Sequence, residues 1–499
     1  MKNKYDILII GSGAGGGTIA QKLIPLARDG AKIAILESGP WFENEYFTQR
    51  EIEMFDIFKD RGAWPTADGA ITISTGEAVG GSTLMYTGVT FRLPDEVCKK
   101  WGVYGLTSEN LKGRFDRLES DVHVIEPTPE MENKNNQLFR KGCEKLDLPI
   151  NKIQLNIKSC EGMGFCNLGC AKGHKQGTLE VQLPKALEAG IEIIPNCEVR
   201  TINDQKVFAQ IKATPKGTKG SDFPIGNIEF EAEKIILAGG TVGSSAILLR
   251  SGFQEKLPAL GRFITLHPAL TVYGLHPEKV NGHKGFPKVW YTNEFSEKEG
   301  FYLETAFYYP FVTTKNLGLW GKDLKYVMRN YNHLMAILIL AHDKALFENQ
   351  VILEKKGNPK IKYNLSKSTI EKLCKAQIEA SKIFFAAGCN QAIMPAAKSN
   401  YFSKNEVPNG DFSKFISSKY FLLNKVPVAS AHLQGGCRMG NDPQNSVTNE
   451  WGQVHGHPWL YVADGSLFPD SSHVNPYLTI MALADRVGEK ILSQTSVVL

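Results

Sequence analysis

The sequence predicts an α/β protein, α+β when taken as a whole: a Rossmann-like, doubly wound domain on a parallel sheet, joined to a second domain built on a largely antiparallel sheet. Three observations carry this. The chain opens with strand, glycine-rich turn, helix, strand and acid between Tyr5 and Glu37. Alternating or apolar runs of strand length follow at 301–312, 333–341 and 351–354. A chain of 499 residues, 42% hydrophobic and 22% charged, can build several cores, and domain sizes of about 150 residues suggest roughly three units.

The same composition removes several classes of function. With 47 Gly and 24 Pro in a well-mixed sequence, the chain is neither disordered nor fibrous. Its 57 basic and 52 acidic side chains leave a formal charge of +5, without a block of five or six like charges. That surplus is too thin to argue for nucleic acid or an anionic membrane. No run of 18 apolar residues exists, and the N-terminus passes from Met1 into an apolar strand without a signal-like segment, so a cytoplasmic chain is expected. Nine cysteines, an odd number at low density, argue against a disulfide framework.

The first strand, Tyr5 to Ile10, is almost continuously apolar, as suits a strand buried on both faces. Gly11, Gly13 and Gly16 follow, then a helical segment over 18–26 and a second strand over 32–36 that ends at Glu37. Gly11 permits the tight turn and Gly13 lets the backbone approach a pyrophosphate. Gly16 allows close helix packing, and Ala14 opens a helix whose free N–H groups face the phosphates. Glu37, 21 residues after Gly16, suits free ribose hydroxyls, which favours NAD or FAD over NADP.

Residues 76–94 concentrate small and hydroxylated side chains around Gly80, Gly81, Ser82 and Thr83, backbone that can lie against a flat ring or a diphosphate. This segment resembles the flavin-contacting stretch of the glucose-methanol-choline (GMC) oxidoreductases. Four further segments are similar to that family in its own order: 232–252, 260–268, 432–440 and the C-terminal pair 460–466 and 474–479. The resemblance implies bound FAD, covalent or noncovalent, and oxidation of an alcohol CH–OH group to a carbonyl by hydride transfer to flavin N5. It also implies cofactor contacts at Val199, Asp464, Gly465, Asn475 and Pro476, besides the glycine-rich positions. The sequence departs from the family at Tyr86, where Asn is common.

Alcohol oxidation requires a group that takes the hydroxyl proton beside a hydride acceptor, and a neutral imidazole titrates in the right range. His432, in a His-x-x-Gly-Gly-Cys segment, matches the family's first active-site position, and Asn475, in Val-Asn-Pro, matches the second. His432 is expected to accept the proton and Asn475 to hold the substrate oxygen as negative charge develops. His473 is a second candidate, because in an extended segment it would share a face with Asn475. His267, His455 and His457 have no convergent partners in sequence and are read as structural.

Cys160, Cys166 and Cys170 form a C-x5-C-x3-C array on a glycine-rich loop, followed by His174. Two readings stand: an iron-sulfur site, or a structural thiol loop. A zinc site would draw its fourth ligand from His174 or Cys197. The segment is similar both to the long-chain fatty alcohol oxidases and to the three-cysteine [3Fe-4S] site of bacterial FAD-dependent sugar dehydrogenases. The second resemblance implies electron transfer to a protein or quinone acceptor, and a subunit that is membrane-associated or exported through a partner. The first leaves an oxygen-using oxidase open, and a redox-silent lyase on the same scaffold is a further alternative.

The motif spread implies a discontinuous FAD domain over 1–92, 190–268 and 428–499, an intervening segment with the cysteine loop over 93–189, and a substrate domain over 269–427. Within the last, Ser368 and Glu371 suggest a capping box for a helix that runs to Ala387 and stops at Gly388. Phe301, Tyr302, Phe307, Tyr308, Tyr309, Phe311 and Trp320 form either a sheet core or the wall of an apolar substrate pocket, which tilts the expected small-molecule alcohol toward a lipophilic one.

Overall fold

The computed structural model describes residues 3–396 and 401–495. The predicted first strand is Lys4–Ile10, and it pairs in parallel with Ile33–Leu36 on one side and with Gly226–Leu237 on the other. Ile9 therefore lies between Ile35 and Ile236, which explains the unbroken apolar run: this strand has a neighbour on each edge and a covered surface on each face. Glu192–Ile194 and Leu460–Val462 extend the parallel array at its two ends. The long strand Gly226–Leu237 also pairs in antiparallel with Lys206–Ile211, which in turn pairs with Cys197–Asn203.

The helical segment expected over 18–26 is divided into Ala14–Lys22 and Ile24–Arg28, with Pro25 in the first turn of the second helix. Gly15 and Gly16 let the first helix sit directly on neighbouring backbone. A Cβ at Gly15 would lie 1.8 Å from the Ala463 carbonyl oxygen, and one at Gly16 would lie 1.9 Å from that of Gly11.

The second sheet is larger and mostly antiparallel, running Trp64–Pro65, Ile71–Ile73, Val428–Ser430, Ala269–Leu275, Leu334–Ala341, Phe301–Thr305, Trp290–Thr292, Asn151–Lys152. It draws strands from stretches expected elsewhere: Ile71–Ile73 and Val428–Ser430 come from parts assigned to the FAD domain, and Asn151–Lys152 from the intervening segment. Those strands are two or three residues long, below the length at which a sequence pattern can be read. The run at 301–312 is a strand only to Thr305. Pro310, which has no N–H for a sheet ladder, opens the helix Pro310–Leu317 instead.

Alternation in the central strands separates two environments. Leu270, Val272, Ile337 and Ile339 face a core shared with the helix Lys367–Ala387, whereas Ala269, Thr271, Leu338 and Leu340 face a cavity. Truncating a residue of that core such as Phe384, which is fully buried, would cost about 3–5 kcal/mol. The helix is capped at Ser366, whose hydroxyl accepts from the Thr369 N–H at 3.1 Å, two residues before the predicted box, and it ends at Gly388 with φ 105°. Among the described residues, no helix is long and apolar enough to cross a membrane.

Candidate active site

The C-terminal ends of the parallel strands, where ligands settle in doubly wound sheets, open into a cavity of about 920 Å³. Gly11, Gly13, Ala14, Glu37, Gly81, Ser82, Val199, Asp464, Gly465 and Pro476 line it. Gly13 begins the helix Ala14–Lys22 without a side-chain cap, so the first N–H groups of that helix remain available at the cavity wall. Gly81 lies against this turn at φ 55°, and a Cβ there would come within 2.8 Å of Gly13 Cα. Volume, glycine cradle and helix end together fit the adenine dinucleotide of FAD.

Two acids anchor the cradle. Glu37 accepts from the Ser12 N–H at 3.0 Å, the Ser12 hydroxyl at 2.7 Å and the Gly39 N–H at 2.9 Å. Asp464 accepts from Gly240 N–H and the Ser244 hydroxyl on one oxygen, at 2.9 and 2.5 Å, and from the Ser466 N–H and hydroxyl on the other, at 2.8 and 2.5 Å. Burial pushes both carboxyls above the usual range, against these donors. Gly16, Gly80 and Thr83 stand behind the wall rather than on it. The Thr83 hydroxyl donates to the Gly80 carbonyl at 2.7 Å and accepts from Thr178 N–H at 3.1 Å, bracing the segment that carries Gly81 and Ser82.

A second cavity of about 520 Å³ lies between this segment and the antiparallel sheet. Its wall is aromatic and aliphatic, including Phe55, Phe58, Phe165, Leu168, Phe307 and Leu340. Of the seven clustered aromatics, Phe307, Tyr308, Tyr309 and Phe311 line it. Phe301 stacks on Phe295 in the core, Tyr302 is buried, and Trp320 is 85% exposed. The two cavities share Ala63, Pro65 and Ala431, and the residue after Ala431 is His432, in the wall of the apolar cavity.

His432 is not alone. Its Nδ1 lies 3.3 Å from Nδ1 of His267, whose Nε2 lies 2.6 Å from the Ser471 hydroxyl. His267, expected to be structural, thus stands against the predicted base. Sequence distance hid it, since 165 residues separate the two rings. Burial, with Lys288 as the second cause, pushes His432 down to about 3. His267 is held well below the usual imidazole value by burial and by its histidine neighbours.

Asn475 is buried, and its Oδ1 accepts from the Tyr302 hydroxyl at 2.7 Å, so Nδ2 is the donor side of this amide. His473 departs from the expectation: its φ of 57° makes the segment left-handed there, so the extended two-residue spacing does not hold. Its ring instead stacks on His342 at 4.2 Å and 11°. His455, bonded to the Ser446 hydroxyl at 2.9 Å, and His457, packed on Phe253 and Trp459, have other partners.

The cysteine loop meets the same cavity. Gly164, Phe165, Asn167 and Leu168 line it, while Cys160, Cys166 and Cys170 remain free thiols. Among the described residues, no group of three or more Cys, His, Asp or Glu side chains converges as a metal site, so the thiols as placed do not fit a [3Fe-4S] cluster or zinc. Cys197 belongs to a strand of the first sheet, beside Glu37 and away from the loop. Burial pushes the Cys166 thiol up to about 11. The loop is pinned instead by buried Lys175, whose ammonium donates to the carbonyls of Leu84, Tyr86 and Cys166 at 2.6, 2.9 and 2.6 Å. Tyr86, the departure from the family pattern, packs on Tyr477 at 4.9 Å and accepts from the Asn156 amide.

The site is thus a dinucleotide cradle that meets, at Ala63, Pro65 and Ala431, an apolar cavity with His432 in its wall. The chain belongs to the GMC oxidoreductase family: the models of the family's N- and C-terminal domains match residues 54–269 and 348–484. It is accordingly an FAD-dependent oxidoreductase. It is 28% identical to the long-chain-alcohol oxidase FAO4A of Arabidopsis thaliana, over 99% of this chain and 69% of that protein. It is 25% identical to 2-methyl-1,2-propanediol dehydrogenase of Mycolicibacterium austroafricanum, over 98% and 95%. In fold it is similar to the pyridoxine 4-oxidase of Mesorbium loti, with a TM-score of 0.67 at 15% identity over 98% of this chain and 99% of that one. The Aspergillus oryzae formate oxidase gives 0.71 at 13% identity, over 100% and 99%.

Proposed function

We propose that the protein oxidises the CH–OH group of a lipophilic, long-chain alcohol to a carbonyl, with molecular oxygen as the electron acceptor. The observation that carries this reading is the apolar cavity that has His432 in its wall and meets the dinucleotide cavity at Ala431. Long-chain-alcohol oxidases that match 98–99% of the chain support the substrate class.

FAD, when bound in the cradle, supplies the hydride acceptor. The chain's own residues do the rest. The aromatic cavity takes the alkyl chain out of water, a favourable term of about 25 cal/mol for each Å² of apolar surface buried. His432, kept neutral by its surroundings, accepts the hydroxyl proton. The Asn475 amide, oriented by Tyr302, donates to the substrate oxygen as charge develops there. His473 supports this arrangement by stacking on His342, 6.0 Å from the Tyr302 ring.

The test is a series of straight-chain primary alcohols against a sugar and a short alcohol, with oxygen uptake and aldehyde both measured. Long-chain substrates should give the highest kcat/KM and consume oxygen as aldehyde forms. Turnover with quinones or dyes but not oxygen would favour a dehydrogenase that passes electrons to a protein or quinone. Iron and acid-labile sulfide in the purified protein would restore the cluster reading.

A further inference from the structure

The apolar cavity reaches the surface where its lining is exposed, at Arg61, Phe311 and Lys315. Three segments meet around this mouth: 51–62, 310–329 and 412–427. Glu51 ties the first to the second, accepting from the Phe311 and Val312 N–H groups at 2.8 and 2.9 Å, and the Phe55 and Phe311 rings meet at 5.2 Å. The second and third touch at Gly318, where a Cβ would lie 3.0 Å from Pro427 Cδ and 3.4 Å from the Lys425 carbonyl oxygen. We propose that the mouth is a membrane-docking surface, which seats the protein on an anionic lipid bilayer and lets an alcohol pass from the lipid into the cavity. The purpose of docking rests on the alcohol-oxidising reading above; the docking itself does not.

Two observations select a lipid surface. The first is exposed apolar bulk. Of the eleven large hydrophobic side chains that stand exposed among the described residues, six belong to these three segments: Ile52, Phe311, Trp320, Tyr326, Leu422 and Leu423. Trp320 is 85% exposed. One bare apolar residue is ordinary on a protein surface, but a group of them around an opening marks an interaction site. Tryptophan in particular favours the boundary between headgroups and acyl chains.

The second observation is charge. Segments 310–329 and 412–427 carry four and three basic side chains against the single acid Asp323, a net +6. The whole chain carries +5, so everything outside these segments comes to −1. A surplus too thin to matter when averaged over 499 residues is therefore concentrated beside one opening. All seven basic side chains are exposed. The acids of 51–62 are engaged elsewhere: Glu51 with the helix N–H groups, Glu53 with Arg50, Asp56 with Arg61, and Asp60 in the wall of the dinucleotide cavity. Apolar side chains that enter the lipid and lysines that stay with anionic headgroups reinforce one another. A second copy seated face to face here would set like charge against like, which disfavours a dimer through this surface. A mouth resting on lipid also spares an alkyl chain the passage through water.

The experiment sediments the flavin-loaded full chain with vesicles of phosphatidylcholine, alone or mixed with phosphatidylglycerol. Binding to the mixed vesicles should be about tenfold or more the tighter, and high salt should remove the difference. Trp320→Ser with Leu423→Ser, and separately Lys322→Glu with Lys419→Glu, should each weaken binding about tenfold or more. Tyr104→Ser, a change at another exposed ring, should not. Trp320 emission, taken as the difference from Trp320→Phe, should shift to the blue on binding. None of these side chains lines either cavity, so flavin content and turnover of a short, water-soluble alcohol should hold at the wild-type level. Turnover of a long-chain alcohol carried in the mixed vesicles should fall with binding. Absence of binding to both vesicles, or binding that Tyr104→Ser weakens as much as the mouth variants do, overturns the proposal. So does a protein that binds no vesicle but self-associates through the mouth, with Trp320→Ser and Leu423→Ser splitting the dimer. Vesicle binding by an enzyme that oxidises no alcohol upholds the docking surface and overturns the alcohol reading instead.

Discussion

The two cavities are built in opposite ways. The dinucleotide cavity starts from a local unit: Gly11, Gly13, Ala14 and Glu37 belong to one strand-turn-helix-strand stretch with largely backbone contacts, and distant segments such as 81–82 and 464–465 complete its wall. The proposed catalytic corner is assembled from afar. His267 follows a loop into the antiparallel sheet, Tyr302 and His342 stand in and beside two of its strands, and His432 and Asn475 arrive from the C-terminal stretch. Backbone recognition demands glycines at set positions, which a sequence displays. Side-chain recognition demands only that distant rings meet, which tertiary structure alone decides.

The sharpest test of this contrast is removal of His432, the proposed base. His432→Ala should lower kcat/KM about 10³-fold while flavin content stays at the wild-type level, because the cradle does not include the ring. The converse change, Gly15→Ala, should spare the histidines and spoil the cradle. With a Cβ 1.8 Å from the Ala463 oxygen, backbone must shift, and flavin retained on purification should fall about tenfold or more. If Gly15→Ala kept its flavin while His432→Ala lost it, the division between the two regions would be wrong.

Filling the apolar cavity should act on specificity. Ala269→Leu puts bulk at its wall and should raise KM for long-chain alcohols about tenfold while changing that for short ones little.

The histidine corner should also leave a mark on stability. His267 and His342 are buried with lowered pKa values, so below about pH 6.5 the unfolded chain binds protons that the folded one refuses. Stability is therefore present above that pH and falls on acidification, by about 1.4 kcal/mol per pH unit for each ring. Denaturant midpoints measured from pH 7 to pH 5 should show this fall, and it should be shallower in His342→Asn. The smallest effect is expected at the thiol loop: Cys166→Ser should leave alcohol oxidation within about twofold of wild type. A total loss, accompanied by loss of bound iron, would restore the cluster.

Much of this was legible. The strand that ends at Ile10 and the turn after it announce themselves through apolar continuity and glycine spacing, and the helix that ends at Gly388 through its stop signal. His432 and Asn475 are proposed on motifs that resemble a family, not on any pattern of their own. His267 could not be found that way, because a lone histidine before a proline carries no sign of a partner 165 residues on. The left-handed turn at His473 was equally hidden, since a positive φ at a non-glycine residue is imposed by packing rather than announced by residue type. The cysteine array is the case where spacing alone leaves two readings open. The C-x5-C-x3-C spacing is compatible with a cluster and with a structural loop; in the structure Lys175 holds the loop by its carbonyls, and the loop's apolar residues wall the cavity.

The measurement that bears most directly on the central claim is anaerobic mixing of the flavin-loaded enzyme with a long-chain primary alcohol, ordinary and deuterated at the carbinol carbon, while the visible flavin band is followed. The account predicts that the band bleaches, more slowly with the deuterated alcohol, and about 10³-fold more slowly in His432→Ala. A band untouched by any alcohol, or bleached as fast without His432 as with it, would contradict the account.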